Sequence, residues 1–370
     1  MKIEAITVRE VRLRLKAPFE TSFATIHERR ALLVEVHSAS ITGWGEITAG
    51  ETPFYSPENT DTSWVIFTKF IAPLVLGQNL EAAADVPALL RPIRGHEMTK
   101  AGFENAVWDI QAQINNVPLA KLLGGRISDI PCGVSIGIHN SPSELITILE
   151  KEVAAGYQRL KLKIRPGKDI EVVAAVRKHF PSVHLMVDAN SAYQLEDADI
   201  LRRFDDYNLA MIEQPLGWDE IYEHSIMQSF LKTPICLDEC IHHARHARAA
   251  IDLRACGVIN IKLGRVGGHA EARRIEELCR TRSIPVWCGG MFETGIGRAH
   301  NIALSSLPGF VLPGDISASQ RYWDEDIIEP EVEVSPQGTI RVPTAPGLGY
   351  KVRRKRIEEI TARQTHFRAI

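Results

Sequence analysis

The sequence predicts an α/β fold, a (β/α)7β TIM-type barrel with an α+β capping domain built from the N-terminus and the C-terminal tail. From about residue 130, short apolar runs alternate with amphipathic segments, which is typical of a parallel sheet with helices outside. Eight such runs favour closure into a barrel over an open sheet. The 370 residues exceed the ~250 residues of a barrel alone, which leaves room for a smaller domain.

Residues 1–125 are predicted to form the cap. Alternation from Ile3 to Leu15, a run from Ala31 to His37 and the segment Gly43-Trp-Gly-Glu46 indicate antiparallel strands. Helical patterns cover 60–76, 80–91 and 99–115. Gly124-Gly125 ends this section.

Residues 126–325 are predicted to form the barrel. The expected strands are 132–138, 159–164, 184–188, 209–213, 234–238, 257–262, 284–288 and 309–313. The expected helices are 142–155, 168–179, 196–204, 219–230, 243–252 and 268–282. The last connection, 291–308, is partly Gly-rich and atypical. Residues 326–370 should return to the cap, with strand-like segments at 331–334 and 339–342.

Composition excludes several classes of protein. The net charge of −3 gives no electrostatic reason to bind nucleic acid or an anionic membrane. The N-terminus lacks the apolar core of a signal peptide, and no apolar run is long enough to span a membrane. The six cysteines form no C-x-x-C pair, which indicates a reduced, cytoplasmic protein. The expected partner is a small-molecule carboxylate, and a homo-oligomer is expected.

Three acidic residues each close an apolar run, at intervals of 25 residues. They are Asp188, Glu213 and Asp238. A parallel strand and its return helix take about that much chain, so the three carboxylates should meet at the C-terminal ends of successive strands. Carboxylates gathered at one point repel each other and need a cation. Mg²⁺ fits best because it prefers oxygen ligands.

The second barrel strand carries two lysines on one face. Lys161 and Lys163 are two residues apart, roughly 6.6 Å along a strand, and the intervening leucine points outward. Two interior ammonium groups require facing carboxylates or a metal-bound substrate. Their repulsion and partial desolvation should lower one pKa and provide a neutral amine. The alternative, a solvated edge strand, is disfavoured because helix-like segments flank this strand.

A third lysine, Lys262, closes the sixth apolar run. Strands two and six lie on opposite sides of an eight-stranded barrel, so Lys163 and Lys262 should face each other with the carboxylates between them. This arrangement suits removal of a proton α to a carboxylate: a metal stabilises the enolate while a lysine takes the proton.

Five motifs in chain order carry a family resemblance: Lys161-x-Lys163, Asp188-Ala-Asn190, Glu213-Gln-Pro215, Asp238-Glu239 and Asn260-Ile-Lys262. Together they resemble the muconate-lactonizing subgroup of the enolase superfamily. The likeness covers nearly the whole chain, including Gly43-Trp-Gly-Glu46 and Pro346-Gly-Leu-Gly349. Within the subgroup, residues 18–23, 263–267 and 289–298 resemble the o-succinylbenzoate synthase/N-acylamino acid racemase family.

The resemblance implies roles for the matching residues. Mg²⁺, with Mn²⁺ or another divalent ion as a substitute, would be held by Asp188, Glu213 and Asp238. Lys163 would be the general base, and Lys262 its partner on the other face. Asn190 and Glu239 would orient ligands or lysines. The expected substrate contacts are Lys161, Ser135 and Met291. Lys161 would also depress the pKa of Lys163.

The resemblance also implies that cap loops close over the barrel mouth. These loops would be near 18–27 and 48–58. Phe19, Phe23 and Phe54 would either exclude water there or belong to the core of the cap.

Other patterns favour structural interpretations. His242 and His246 have a spacing that can bind zinc, but no H-E-x-x-H motif is present and a solvated helix is preferred. The glycines of 264–268 lack the G-x-G-x-x-G spacing of a dinucleotide site. Ser135 has no nucleophile context. Trp108-Asp109, on a cap helix, is expected only to pack. Structural ion pairs of Glu213 and Asp238 with arginines are disfavoured, because a third carboxylate, Asp188, and the lysines match the same site.

The leading functional hypothesis is Mg²⁺-dependent dehydration of 2-succinyl-6-hydroxy-2,4-cyclohexadiene-1-carboxylate in menaquinone biosynthesis, with N-succinylamino acid racemase activity beside it. The alternatives are racemisation of N-acylamino acids as the physiological role, or a dipeptide epimerase or cycloisomerase. A catalytically silent scaffold is disfavoured because no matched catalytic position is replaced.

Overall fold

The computed structural model describes residues 1–139, 141–167 and 169–369. The cap contains a four-stranded antiparallel sheet, in which the chain's last strand lies at one edge. Its strands are β1 (Ala5–Glu20), β2 (Thr25–Ser38), β3 (Ile41–Ile47) and β15 (Thr361–Arg368), in the order β15-β1-β2-β3. Ala5 pairs with both Arg368 and His37, so the two ends of the chain meet in one sheet.

In chain order, the helices of the cap follow β3 and precede the barrel strands. They are α1 (Thr60–Ile66), α2 (Ala72–Val75), α3 (Val86–Leu89), α4 (Glu97–Ile114) and α5 (Leu119–Leu123), with a π-helical segment, Phe67–Ile71, joining α1 to α2. Asn59 caps the N-terminus of α1, where its side chain accepts a hydrogen bond from Thr62 N. α5 ends at Gly124, whose φ of 94° suits glycine.

Seven parallel strands form the barrel sheet, in the order β11-β10-β9-β8-β7-β6-β5. They are β5 (Gly133–Ile136), β6 (Arg159–Lys163), β7 (Leu185–Asp188), β8 (Ile212–Glu213), β9 (Ile235–Leu237), β10 (Val258–Ile261) and β11 (Val286–Cys288). The connecting helices are α6 (Pro142–Ala154), α7 (Asp169–His179), α8 (Ala198–Arg202), α9 (Ile221–Phe230), α10 (Ala244–Asp252), α11 (His269–Thr281) and α12 (Gly295–Ser305). The predicted fold class is confirmed. Among the described helices, none has the length and apolarity needed to cross a membrane.

The predicted eighth strand, 309–313, is wrong as a regular strand. The segment makes isolated bridges instead, from Phe310 to Val286 on one side and from Gly314 to Cys132 on the other. Proline at 313 has no N–H to donate to a ladder, which limits regular pairing. The barrel still closes, because Gly133 N donates to Gly314 O at 2.7 Å.

The C-terminal section was predicted only in part. Its short strands are β12 (Ile328–Glu329), β13 (Thr339–Arg341) and β14 (Lys351–Val352), and a helix, α13 (Arg354–Ile360), precedes β15. β13 pairs with β4 (Asp129–Pro131), which precedes the first barrel strand. The predicted strand at 331–334 is wrong. Val332 O accepts from Ser319 N, and Val332 N donates to the Ser319 hydroxyl; Ser319 lies in a 3₁₀ turn, so no strand forms there. The predicted domain bounds, 1–125, 126–325 and 326–370, stay a prediction.

Gly43-Trp-Gly-Glu46 fixes β3 against α4. A Cβ atom at Gly43 or Gly45 would overlap the backbone carbonyls of Ala106 or Gly102 on α4, so only glycine permits this approach. Trp44 N donates to the Asp109 carboxylate of the same helix at 3.0 Å. This contact gives the segment a structural role in the cap.

Two buried glutamates of the cap bind the N-terminal ends of barrel helices. The carboxylate of Glu46 accepts from the Thr294 hydroxyl at 2.6 Å and from Gly297 N at 3.1 Å, at the start of α12. The carboxylate of Glu104 accepts from His269 N at 2.8 Å and from Ala270 N, at the start of α11. Free N–H groups at a helix N-terminus favour a negative partner, so these contacts join the cap to the barrel.

Candidate active site

The predicted metal-binding carboxylates meet at one end of the barrel. Asp188 ends β7, Glu213 ends β8 and Asp238 follows β9 directly. All three side chains are completely buried. β7, β8 and β9 are neighbours in the sheet, so their carboxyl ends bring these side chains together. We call Asp188, Glu213 and Asp238 the carboxylate cluster.

Lys161 joins the carboxylate cluster to a further acid. Its Nζ lies 2.9 Å from Glu213 Oε2, 3.1 Å from Asp188 Oδ2 and 2.7 Å from Asp315 Oδ2. Burial disfavours the ammonium form, but the carboxylates of Asp315, Glu213 and Asp188 outweigh burial and raise the pKa of Lys161 well above its usual value. The predicted lowering of one lysine pKa therefore does not apply to Lys161, because carboxylates neutralise its charge.

Lys163, at the end of β6, contacts the same carboxylate oxygen of Asp188 as Lys161 does. Its Nζ lies 2.6 Å from Asp188 Oδ2 and 2.6 Å from Asn190 Oδ1. Asn190 in turn donates from Nδ2 to Glu239 Oε1 at 3.0 Å. The amide of Asn190 thus holds Lys163 in place and links it to Glu239.

Lys262 follows β10 and approaches the carboxylate cluster from the opposite flank. Its Nζ lies 2.7 Å from Asp238 Oδ2, and the Arg265 guanidinium pairs with Asp238 Oδ1. Burial opposes the ammonium form of Lys262, yet Asp238 and other neighbours raise its pKa above the usual value. Strands β7, β8 and β9 separate Lys163 from Lys262, so the two amines flank the cluster.

Tyr55, from the cap, reaches the same group of residues. Its hydroxyl accepts from Lys262 Nζ at 3.0 Å and from Arg265 Nη1 at 3.1 Å. The hydroxyl also donates to Asp238 Oδ2 at 3.2 Å. The Lys262 ammonium lies 4.5 Å from the centroid of the phenol ring. The 48–58 loop therefore takes part in the site through Tyr55, a residue that the sequence analysis did not identify.

Asp315 was also missed, and it organises the wall beside Lys161. It pairs with Arg159, which is buried beside the Trp287 ring, 4.6 Å from its centroid. The Ser135 hydroxyl donates to Asp315 Oδ2 at 2.8 Å. Ser135, predicted to contact substrate, borders the cavity, but its hydroxyl already has this partner.

A cavity of about 390 Å³ opens beside Lys161, Lys163 and Lys262. Its apolar lining comes from both the cap and the barrel: Phe19, Phe23, Ile26, Met291, Phe292, Ile316 and Tyr322. The rings of Phe19 and Phe292 meet edge to face at 5.0 Å. Residues of both predicted segments line the cavity, but 18–20 and 25–27 belong to β1 and β2, so only 21–24 forms the first loop. Phe54 is 63% exposed and does not line the cavity.

Family models match most of the chain. The mandelate racemase/muconate lactonizing enzyme N-terminal domain matches residues 2–124, and the enolase C-terminal domain-like model matches residues 144–356. The chain belongs to the enolase superfamily.

Relatives of this enolase-superfamily member align over nearly full length. An o-succinylbenzoate synthase of Geobacillus kaustophilus is 49% identical over 98% of this chain and 96% of that protein. An N-succinylamino acid racemase of Amycolatopsis is 44% identical over 98% of each. A crystal structure of an enolase-superfamily protein from Listeria innocua has a TM-score of 0.96 and 40% identity, covering 100% of this chain and 99% of that one.

The donor chemistry of the cluster fits a divalent cation, although its oxygens are engaged by lysines and Arg265. In the described ranges, no three His, Cys, Asp or Glu side chains are arranged around one point as a metal site. The nearby Glu239 Oε2 is buried and has no hydrogen-bond partner in those ranges. Burial, then the Asp188 charge, raises the pKa of Glu213 to about 7, and burial with Asp238 raises that of Glu239 well above its usual value. Burial and the neighbouring carboxylates thus favour the neutral forms of Glu213 and Glu239, and a divalent cation among these oxygens would favour their charged forms.

The structure places the other sequence candidates as follows. Met291 is half-buried and lines the cavity, as a substrate contact would. His242 packs edge to face against Trp218 and His246. Gly264 lies against Thr48, where a Cβ would overlap the hydroxyl oxygen, so the 264–268 glycines allow close packing on the cap. The site roles of the predicted residues stay predictions.

Proposed function

We propose that this chain is an o-succinylbenzoate synthase that dehydrates 2-succinyl-6-hydroxy-2,4-cyclohexadiene-1-carboxylate in menaquinone biosynthesis and also racemises N-succinylamino acids. One observation carries the proposal: two lysines, from β6 and after β10, flank a buried carboxylate cluster beside a cavity lined by both cap and barrel. Relatives named o-succinylbenzoate synthase and N-succinylamino acid racemase support the choice of reaction.

In the dehydration, Lys163 acts as base and then as acid. Its neutral amine takes the proton α to the substrate carboxylate, and the electrons of that C–H bond remain with the substrate. They form the new ring double bond as the C–O bond to the hydroxyl group breaks. Lys163 returns its proton to the departing oxygen, so water leaves and the ring becomes aromatic. The Lys262 ammonium stabilises the negative charge from the other face.

Racemisation is supported by the second lysine. Dehydration requires one base, whereas inversion at a carbon requires a base on one face and an acid on the other. Lys163 and Lys262 are held in matching ways, each by a carboxylate of the cluster at 2.6 or 2.7 Å. One lysine removes the α-proton and the other delivers a proton to the opposite face.

The metal in this proposal is Mg²⁺, held by Asp188, Glu213 and Asp238, with Mn²⁺ or another divalent ion as a substitute. When bound, it supplies positive charge that stabilises the enolate oxygens. The ammonium groups of Lys163 and Lys262 contact the same carboxylates that would hold the cation. Glu239 and Asn190 orient Lys163 through their hydrogen bonds.

Turnover of the cyclohexadiene substrate by the Mg²⁺-loaded protein tests the dehydratase proposal. Loss of the diene absorbance, with formation of o-succinylbenzoate, is the expected result. A folded, metal-loaded protein that produces none contradicts it. α-Deuterium exchange into both enantiomers of an N-succinylamino acid tests the racemase activity separately.

Replacing Tyr55 by phenylalanine is expected to slow proton transfer by Lys262 about tenfold, because the change removes a hydrogen bond to a charged group. α-Deuterium exchange should fall for the enantiomer served by Lys262 and change less than twofold for the other. Tyr222→Phe, at a side chain that is 62% exposed, is the matched control. An equal fall for both enantiomers would mean that Tyr55 acts on the site as a whole.

Two further assignments are proposals. All six cysteines are buried and unpaired, which supports a reduced compartment such as the cytoplasm. A homo-oligomer is proposed from the family resemblance, and size-exclusion chromatography with light scattering tests it.

A further inference from the structure

Arg29, on β2 of the cap, is a buried cation beside the cavity. It lines the cavity but is only 4% exposed. Its Nη1 donates to the backbone oxygen of Ala49 at 2.7 Å, which fixes the guanidinium. Its Nε and Nη2 are buried and have no hydrogen-bond partner in the described part of the chain. These two nitrogens form one edge of the guanidinium, the edge that binds a carboxylate with two parallel hydrogen bonds.

Arg29 differs from the other Lys and Arg side chains of the cavity. Each of the others forms an ion pair within 4.0 Å: Lys161, Lys163, Lys262 and Arg298. Among the described residues, Arg29 forms none. Burial makes an unpaired guanidinium costly and lowers the pKa of Arg29. A buried guanidinium with two unpartnered donors is suited to bind an anion.

Three acidic residues act on Arg29 at longer range, and two of them have other partners. Glu46 binds Thr294 and Gly297 at the start of α12. Glu293 accepts from Met291 N at 2.8 Å. Glu51 is exposed. None of them forms an ion pair with the guanidinium within 4.0 Å, so no carboxylate of the described residues occupies its Nε–Nη2 edge.

We propose that Arg29 binds the second carboxylate of a dicarboxylate substrate, the one remote from the reacting carbon. The proposal rests on the proposed function, which places the first carboxylate at the lysines and the carboxylate cluster. Phe19, Phe292 and Tyr322, which line the same cavity, form an apolar wall in edge-to-face contact. The cavity therefore suits an apolar body with a carboxylate at each end, as in a succinyl compound.

A matched pair of substrates tests this subsite. An N-succinylamino acid and the corresponding N-butanoylamino acid have acyl chains of the same length and differ in the terminal carboxylate or methyl group. In wild type, kcat/KM for α-deuterium exchange should be about 100-fold higher for the succinyl compound. Arg29→Gln should remove most of this preference by lowering the succinyl value, with the butanoyl value changed less than threefold. Arg29→Lys should restore part of the preference, and Arg14→Gln, at an exposed position of the same sheet, is the control.

Several results would overturn the subsite. If wild type shows no preference for the succinyl compound, the subsite is refuted. This result requires no variant, so it holds even if Arg29→Gln fails to fold. An equal fall for both compounds in Arg29→Gln would assign Arg29 a structural role.

If wild type exchanges neither compound, the proposed racemase activity fails, and calorimetric binding of o-succinylbenzoate and 2-butanoylbenzoate to the Mg²⁺-loaded protein still decides the question. If wild type binds o-succinylbenzoate more tightly than 2-butanoylbenzoate and Arg29→Gln loses this preference, the result supports the subsite. Equal binding of the two compounds overturns it.

Discussion

Replacing Lys163 by alanine is expected to lower kcat/KM for dehydration by about 10⁴-fold, the upper range for loss of a general acid–base group. Lys163 has both tasks in the proposed dehydration, removal of the α-proton and protonation of the departing oxygen. Lys161 cannot replace it, because three carboxylates hold the Lys161 ammonium and raise its pKa. A spectrophotometric assay of the diene measures the effect.

The same variant separates the two faces of the site. α-Deuterium exchange should be lost for the enantiomer that presents its proton to Lys163 and retained for the one that presents its proton to Lys262. Lys178→Ala, at an exposed position at the end of α7, should leave both rates unchanged. Retained exchange of both enantiomers in Lys163→Ala would contradict the assignment of two bases.

Replacing Glu213 by glutamine is expected to weaken Mg²⁺ binding by more than about 100-fold. Loss of a residue that only hydrogen-bonds to a metal ligand already lowers metal affinity about 10- to 100-fold. Glu213 lies on the central strand of the cluster, where Oε1 accepts from Asn260 Nδ2 at 2.7 Å and Oε2 from Lys161. A glutamine removes one negative charge and can direct an NH₂ group at one of these donors. Calorimetric titration with Mg²⁺ measures the affinity.

Chelation tests the same site in the unaltered protein. EDTA should abolish dehydration, and added Mg²⁺ should restore it. Glu196→Gln, at an exposed position, should bind Mg²⁺ as wild type does. Full activity after exhaustive chelation, or wild-type Mg²⁺ affinity in Glu213→Gln, would refute the metal assignment.

The repeating part of the molecule was accessible from sequence. The interval of 25 residues follows from the strand and helix repeat, and the alternation in β6 predicts that Lys161 and Lys163 share a face. The structure brings these residues to one end of the barrel with Asp188, Glu213 and Asp238. Local periodicity suffices here because each residue occupies a fixed place in its own repeat.

The remaining site residues lie outside that regularity. Tyr55 meets Asp238 across 183 positions of the chain, and Arg159 meets Asp315 across 156. No local pattern marks a loop tyrosine, or an arginine at the start of a strand, as part of a distant site. The segment 309–313 forms isolated bridges and no regular strand because Pro313 has no N–H to donate to a ladder.

The glutamates that bind the starts of α11 and α12 restrict how substrate enters. Glu46 and Glu104 hold the cap on two barrel helices, and the glycine contacts of β3 with α4 leave little space for sliding within the cap. A hinge opening between cap and barrel would expose four or more buried hydrogen bonds at once. We therefore expect substrate to enter by displacement of the β1–β2 turn and the 48–58 segment, both of which line the cavity. Selectivity can then diverge through loop sequence alone, while the scaffold that carries the lysines and acids stays unchanged.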